Sequence, residues 1–247
     1  MKVIMLAMTL AMTLLCHNVA AQTPRSMEMF TCNLAEGKTM ADVMAVAADW
    51  DVWADDNFSK GYTAYVMQPV LFTGADFPMD FIWLGVSDSP SDLGAVMDEF
   101  MSKGQDYAKR FDDASPCNSH STWGSMALRP MAGLPKPVFL QVRACQMKPG
   151  VSWGQVRSTQ IKIAQWMDDN NIPGGNYLWW PGTGFAIDSN VDYYNVWVTN
   201  SLAERGAGLE AFRENNWGED SYQIAGEDSL ASCDNWRVWH AQPVGGK

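Results

Sequence analysis

The sequence predicts an α+β protein of two tandem lobes, each with the strand and helix order β-α-β-β-α-β. Three observations carry this. Cys32, Gly37, Thr39, Trp53, Asp55, Asp56 and Asn57 recur as Cys145, Gly150, Ser152, Trp166, Asp168, Asp169 and Asn170, every pair 113 positions apart. Strand-forming and helix-forming runs follow one another in the same order in both halves. Four cysteines fall at matching points of the two halves.

Residues 1–21 read as a secretory signal. Met1-Lys2 is a short basic start, Val3 to Leu15 is almost unbroken apolar, and Asn18-Val19-Ala20-Ala21 supplies small residues for cleavage. The run is too short for a lasting span, and no later run is long and apolar enough to replace it. Cys16 follows Leu15, where a lipobox requires a small residue, so lipidation is not expected. The mature chain is expected to start at Gln22 and to be exported to the periplasm or beyond, with no membrane insertion after cleavage.

Lobe one covers 22–128. A strand is expected around Met27–Asn33, then a turn at Gly37-Lys38-Thr39. Thr39 caps a helix over Ala41–Ala54, with Trp50 and Trp53 on one face. Asp55-Asp56-Asn57 stops it. Tyr62–Phe72 reads as a strand, with Pro69 arguing for an edge or a bulge. Thr73-Gly74-Ala75-Asp76 is a turn, and Phe81–Val86 another strand. Ser89-Pro90-Ser91 opens a helix from Asp92 to Arg110, and Cys117–Leu128 is the fourth strand. Residues 129–137 hold three prolines and a glycine and form the linker.

Lobe two, 138–247, repeats the order. Val138–Met147 is a strand, and Ser152 caps a helix to Asp169. Tyr177–Trp180 and Tyr193–Thr199 are strands, Leu202 to Asn215 is helical, and Cys233–Ala241 closes the chain. Trp83 aligns with Trp197 at offset 114, and Trp123 with Trp239 at offset 116.

The chain carries 17 Lys and Arg against 28 Asp and Glu, a net charge of −11. Loss of the leader removes Lys2 and no acid, making the chain still more acidic. Such a surface repels nucleic acid and anionic lipid, and keeps an exported protein soluble. Cys32, Cys117, Cys145 and Cys233 remain after cleavage, and an even number in an exported chain points to disulfides. Three pairings exist. The duplication makes Cys32–Cys117 and Cys145–Cys233 the simplest. No CxxC pair is present and the mature chain has only His120 and His240, so no metal site is expected.

Two β-α-β-β-α-β lobes are two ferredoxin-like folds. Their first and fourth strands are antiparallel neighbours, which brings the proposed half-cystines together as disulfide geometry requires. The layout resembles the dimeric α/β-barrel superfamily fused in tandem, in which two such units pack into a barrel with helices outside. Phe139-Leu140-Gln141-Val142, then Lys148-Pro149-Gly150 before a helix, is similar to the start of antibiotic-biosynthesis-type monooxygenase domains. The resemblance carries over no catalytic residue. Its haem-binding members need a proximal histidine, yet His120 aligns with Trp236 and His240 with Gly124, so neither has a counterpart.

Twelve tryptophans are the sharpest compositional feature, eight of them in lobe two, Trp217 included. Trp83, Trp197, Trp123, Trp239 and Tyr65 are candidate ligand-binding residues: flat walls for an aromatic, quinone-like or sugar molecule, with indole N–H donors. The plainer reading is that these rings fill the cores, as a packing scheme shared by two halves would have them do. The pairs Asp55-Asp56 and Asp168-Asp169 could be bases or cation ligands but read first as solvated helix ends. His120 is the candidate catalytic residue, as the proton carrier suited to neutral pH; a lone strand histidine is more often structural. Asn57-Phe58-Ser59 is a glycosylation sequon, and no nucleophile elbow, phosphate-cradling loop or HExxH is present. The expected function is binding of a small apolar or aromatic molecule, with cofactor-free oxidation if the protein is an enzyme. No cofactor is expected, and oligomeric state is left open. The alternatives are a non-catalytic envelope interaction module and a haem- or stress-associated barrel.

Overall fold

Strand alternation sets two faces, and the whole architecture follows from which face each residue takes. In β1 (Arg25–Cys32) Met27 and Met29 join one core cluster, while Phe30 and Cys32 join another on the opposite face. The same division runs through β2 (Thr63–Leu71), β3 (Phe81–Ser87) and β4 (Cys117–Arg129) of lobe one. Lobe two divides likewise in β5 (Val138–Met147), β6 (Gly175–Pro181), β7 (Tyr193–Thr199) and β9 (Arg237–Pro243), with the short β8 (Ala231–Cys233) beside β5. The computed structural model describes residues 23–215 and 230–245. The expected leader with Cys16, and Trp217, lie outside the described residues.

Lobe one has the strand order β4-β1-β3-β2, and lobe two β9-β5-β7-β6. Both are the antiparallel ferredoxin-like order. Two seams, β4 with β6 and β2 with β9, join the lobes edge to edge. All eight long strands thereby close into one barrel, which leaves no long edge unpaired among the described residues. Its interior is a single core that includes Met27, Tyr65, Trp123, Val196, Trp179 and Trp239.

Helices cover the outside. Lobe one carries α1 (Met40–Asn57), α2 (Pro90–Lys103) and α3 (Gln105–Ala114); lobe two carries α4 (Trp153–Asp169) and α5 (Leu202–Glu214). Matching caps start the first helix of each lobe. The Asp42 carboxylate accepts from Thr39 N–H at 2.8 Å, and the Gln155 side chain accepts from Ser152 N–H at 2.9 Å. The disulfides are Cys32–Cys117 and Cys145–Cys233, each between paired positions of neighbouring strands.

Four expectations need correction. The Asp55-Asp56-Asn57 stop is the last turn of α1, which ends at Asn57, where the Asn57 amide donates to the Trp53 carbonyl at 2.8 Å. The single helix from Asp92 to Arg110 is two, parted at Gly104, where a Cβ would stand 2.4 Å from the Phe100 ring. The closing strand of lobe two is split into β8 and β9 at Asp234–Trp236, with the Asp234 carboxylate accepting from Ala144 N–H at 2.8 Å. Finally, Trp83 and Trp197 are not equivalent. Cys32 pairs with Phe81 and Trp83 lies two residues beyond; Cys145 pairs with Tyr193 and Trp197 lies four beyond. Asn195 therefore takes the place of Trp83, and Gly85 the place of Trp197. Trp123 and Trp239 do match, facing Met27 and Leu140 across the first strand of each lobe.

Candidate functional site

Between the outer face of β1, β3 and β4 and the helices of lobe one lies a cavity of about 580 Å³. Its walls are aromatic. Trp83 of β3 meets Trp50 of α1 edge-on at 5.1 Å and Phe111 of α3 at 5.2 Å. Phe100 and Met101 at the end of α2 complete it, and the exposed Asn118, Ser119 and His120 of β4 form its rim. The break at Gly104 turns α3 back onto α1, where Arg110 pairs with Asp49 at 2.5 Å, and so brings Phe111 over the sheet.

One wall is polar. Alternation in β1 places Glu28 on the helix face, and it is 6% exposed. A buried carboxylate needs a donor for each oxygen. Tyr62 O–H donates to Oε1 at 2.6 Å, and Nε2 of His120 lies 2.7 Å from Oε2. The Trp83 indole N–H in turn donates to the Tyr62 oxygen at 3.1 Å. Tyr62 reaches Glu28 only because Gly85 has no side chain: a Cβ there would stand 1.8 Å from the phenol oxygen. Burial, then the charge of Glu28, hold the Tyr62 phenol well above its ordinary range, so it stays a donor. The His120 ring lies flat on Phe30, centroids 3.8 Å apart. With Nε2–H given to Glu28, its Nδ1 is left as an acceptor with no partner among the described residues.

The structure brings two of the sequence-derived candidates to this cavity, Trp83 and His120. Tyr65, Trp123 and Trp239 face the barrel interior, where they pack in the core at 9%, 7% and 5% exposure. Trp197 lies under the helices of lobe two, its N–H given to the Pro173 carbonyl at 2.9 Å and its ring edge-on to Phe212. The five aromatic candidates therefore do not form one wall. Sequence reading passed over Glu28 and Tyr62. The signal for Glu28 was present: an acid between Met27 and Met29 in an otherwise apolar strand.

The acidic pairs form no centre. Asp55 and Asp56 are exposed at the end of α1; Asp168 pairs with Arg129 at 2.6 Å and Asp169 accepts from Gln165 at 2.9 Å. Among the described residues no cluster of three potential metal ligands occurs, and no helix is long and apolar enough to cross a membrane. Haem does not fit the cavity residues. His120 gives Nε2 to Glu28 and a ring face to Phe30, and His240 lies by Phe139 on the other lobe. Among the described residues the charged lining residues apart from His120 are the acids Glu28 and Asp112, with no lysine or arginine to pair with haem carboxylates.

No protein-family model matches the chain, and no curated protein sequence does either. Solved structures match over nearly its full length. A chlorite dismutase from Candidatus Nitrospira defluvii has 10% identity and a TM-score of 0.53, with 88% of this chain and 90% of that one covered. An anthrone oxidase-like protein has 11% identity and a TM-score of 0.52, covering 92% and 95%. A protein from Fusobacterium nucleatum assigned as a monooxygenase has 9% identity and a TM-score of 0.52, covering 90% and 92%. At such identities the likeness is one of fold: the chain is a dimeric α/β barrel carried on one polypeptide, the architecture of chlorite dismutase-like and antibiotic-biosynthesis-monooxygenase-like proteins.

Proposed function

We propose that the protein binds a small, flat, mostly apolar molecule in the lobe-one cavity. The observation that carries this is the cavity itself: about 580 Å³, walled by aromatic rings and bearing one compact polar group. Small-molecule sites of ~300–1,000 Å³ have this make-up. The neighbour named as anthrone oxidase-like supports an aromatic ligand. Export of the mature chain is part of the proposal and draws support from the two disulfides. An interaction module would want a broad apolar patch. Among the described residues the exposed large apolar side chains are instead spread along the chain, from Val52 of α1, Leu71-Phe72 at the end of β2 and Met101 of α2 to Ile161 of α4, Ile187 between β6 and β7, and Leu202 of α5.

A second reading is favoured by the pairing of His120 with Glu28: the bound molecule is oxidised in place without a cofactor, dioxygen being the oxidant and His120 the proton acceptor. The test of binding is quenching of Trp50 and Trp83 fluorescence on titration with phenols and quinones. Ala108 of α3 lines the cavity, and Ala108→Trp fills it. Saturable quenching that falls at least about tenfold in affinity in Ala108→Trp, with the circular dichroism unchanged, supports the reading. Quenching indifferent to that substitution sinks it.

A further inference from the structure

We propose that the lobe-one cavity selects an organic cation: a flat aromatic molecule whose positive charge sits on an alkylated, weakly hydrated nitrogen, such as a pyridinium or a quaternary ammonium group. This rests on the binding assigned to that cavity and names the chemical class bound there.

Charge points to this class first. Among the described residues, the ionisable side chains on the lining are Glu28 from β1, Tyr62 from the turn before β2, His120 from β4 and Asp112 from α3; α1, α2 and β3 contribute none. Burial and the charge of Glu28 keep Tyr62 a neutral phenol. Glu28 takes its two hydrogen bonds from that phenol and from the His120 ring, so no lysine or arginine offsets it, although it is 6% exposed. A buried carboxylate is ordinarily matched by a cation. Asp112, exposed on α3, also has no ion-pair partner among the described residues. Its cationic neighbours on that helix are engaged elsewhere: Lys109 holds Asp113 at 2.6 Å, and Arg110 holds Asp49 at 2.5 Å. The wall therefore bears two acids and, as its one group able to become positive among the described residues, an imidazole.

The aromatic walls act with the same sign. A ring is negative over its face, and a cation within about 6 Å of that face is attracted to it, most strongly for tryptophan. Trp83 meets Trp50 at 5.1 Å and Phe111 at 5.2 Å, each pair steeply inclined, so rings from β3, α1 and α3 surround one space from different directions. Phe100 of α2 closes a further side. Wherever such a ring turns its face to the cavity, it adds to the attraction of the two carboxylates.

Hydration decides which kind of cation fits. A primary ammonium gives up strong hydrogen bonds to water on entry, and both Glu28 oxygens already have donors. An alkylated nitrogen has no N–H to satisfy, so it keeps the attraction and loses less hydration. A carboxylate or phosphate ligand is repelled by both acids and by the ring faces. At longer range, the net charge of −11 draws cations towards the protein.

The test compares three ligands of similar shape by calorimetric titration of the whole protein: the cation 1-methylquinolinium, the neutral 4-methylquinoline and the anion 1-naphthoate. Mildly alkaline buffer keeps 4-methylquinoline uncharged, as it ordinarily does histidine. The quinolinium should bind at least about tenfold tighter than 4-methylquinoline, with 1-naphthoate the weakest of the three. Glu28→Gln keeps the shape and removes the charge, and should cut the ratio of the first two affinities at least about threefold. Asp112→Asn should cut the same ratio by less; its exposed position lets it read the charge even if Glu28→Gln fails to fold. Equal binding of the quinolinium and 4-methylquinoline, or a preference unmoved by either substitution, overturns the proposal. If none of the three binds, or if Ala108→Trp leaves their binding unchanged, the cavity is not the ligand site and the proposal falls with it. If 4-methylquinoline binds as tightly as the cation and Ala108→Trp weakens both, only the charge selection is wrong.

Discussion

The two lobes share strand order, disulfide placement and helix caps, yet they fill the space between sheet and helices with different chemistry. Where lobe one has Glu28, lobe two has Gln141, whose side-chain oxygen accepts from Arg205 of α5. Where lobe one has Trp83 with Ala47 in the same cluster, lobe two has Asn195, whose amide donates to Gln160 at 3.2 Å. Where Gly85 admits Tyr62, Trp197 stands in lobe two and Gly208 of α5 makes room for it. The stack of His120 on Phe30 is replaced by Arg143 over Trp236 at 4.5 Å. The exchanges at Trp83 and at Gly85 trade a large side chain for a small one and restore the volume from a neighbour in the same lobe, which is how a core changes its contents without changing its fold. What the difference teaches is that backbone equivalence was retained while the polar group beside the cavity was given to lobe one.

The disulfides provide the largest test of that equivalence. They close loops of 85 and 88 positions, so loss of either pair, Cys32→Ala with Cys117→Ala or Cys145→Ala with Cys233→Ala, should cost about the same, ~4–5 kcal/mol in the chain-entropy model. Urea midpoints read it. Two separate transitions, or clearly unequal losses, would break the picture of matched lobes sharing one barrel.

Alkaline pH probes the interior that the lobes share. Tyr65 from lobe one and Tyr194 from lobe two both enter the barrel core, and burial first of all pushes each up to about 12 from 10.0. Raised values mean that folding stability is complete below pH ~10, where even the unfolded tyrosines are protonated, and declines as pH climbs towards the folded values. Urea midpoints measured from pH 8 upward should therefore fall only above ~10. Tyr62→Phe should remove part of the fall, since the layer under the helices adds its own raised phenol in lobe one.

A smaller effect isolates the glycine on which the polar wall depends. Gly85→Ala should destabilise by ~1–3 kcal/mol because its methyl overlaps Tyr62, and should cost clearly less in a Tyr62→Ala background. Additive losses in thermal melts would mean that the two residues do not share that space. The smallest effect compares the two caps. Both first helices open with a capping box, and the Thr39 hydroxyl donates to Asp42 at 2.7 Å as the Ser152 hydroxyl donates to Gln155 at 2.8 Å. Thr39→Ala and Ser152→Ala should each cost ~1 kcal/mol in thermal melts, and clearly unequal losses would show that the two caps have diverged.

Most of the architecture was legible from the cysteine and tryptophan register, since Cys32 with Trp53 and Cys145 with Trp166 tie strand to helix at one fixed offset. The boundaries of β5 and β7 follow from unbroken β-forming runs. The site was less legible. Matching Trp83 to Trp197 by identity overrode the strand register, which only backbone pairing reveals. Both faces of these strands are buried, so hydrophobicity did not tell barrel interior from helix interface, and Tyr65, Trp123 and Trp239 were grouped with Trp83. The role of Gly85 depends on a side chain arriving from 23 positions away in the chain, Tyr62, and local pattern holds no trace of it.

The barrel seams, β4 with β6 and β2 with β9, have a consequence for how such a protein can evolve. A barrel assembled from two identical chains must accept every substitution twice, once on each side of its symmetry axis. With both halves encoded in one reading frame, a mutation is made once. One half is free to keep a polar group beside its cavity while the other fills the same place with packing.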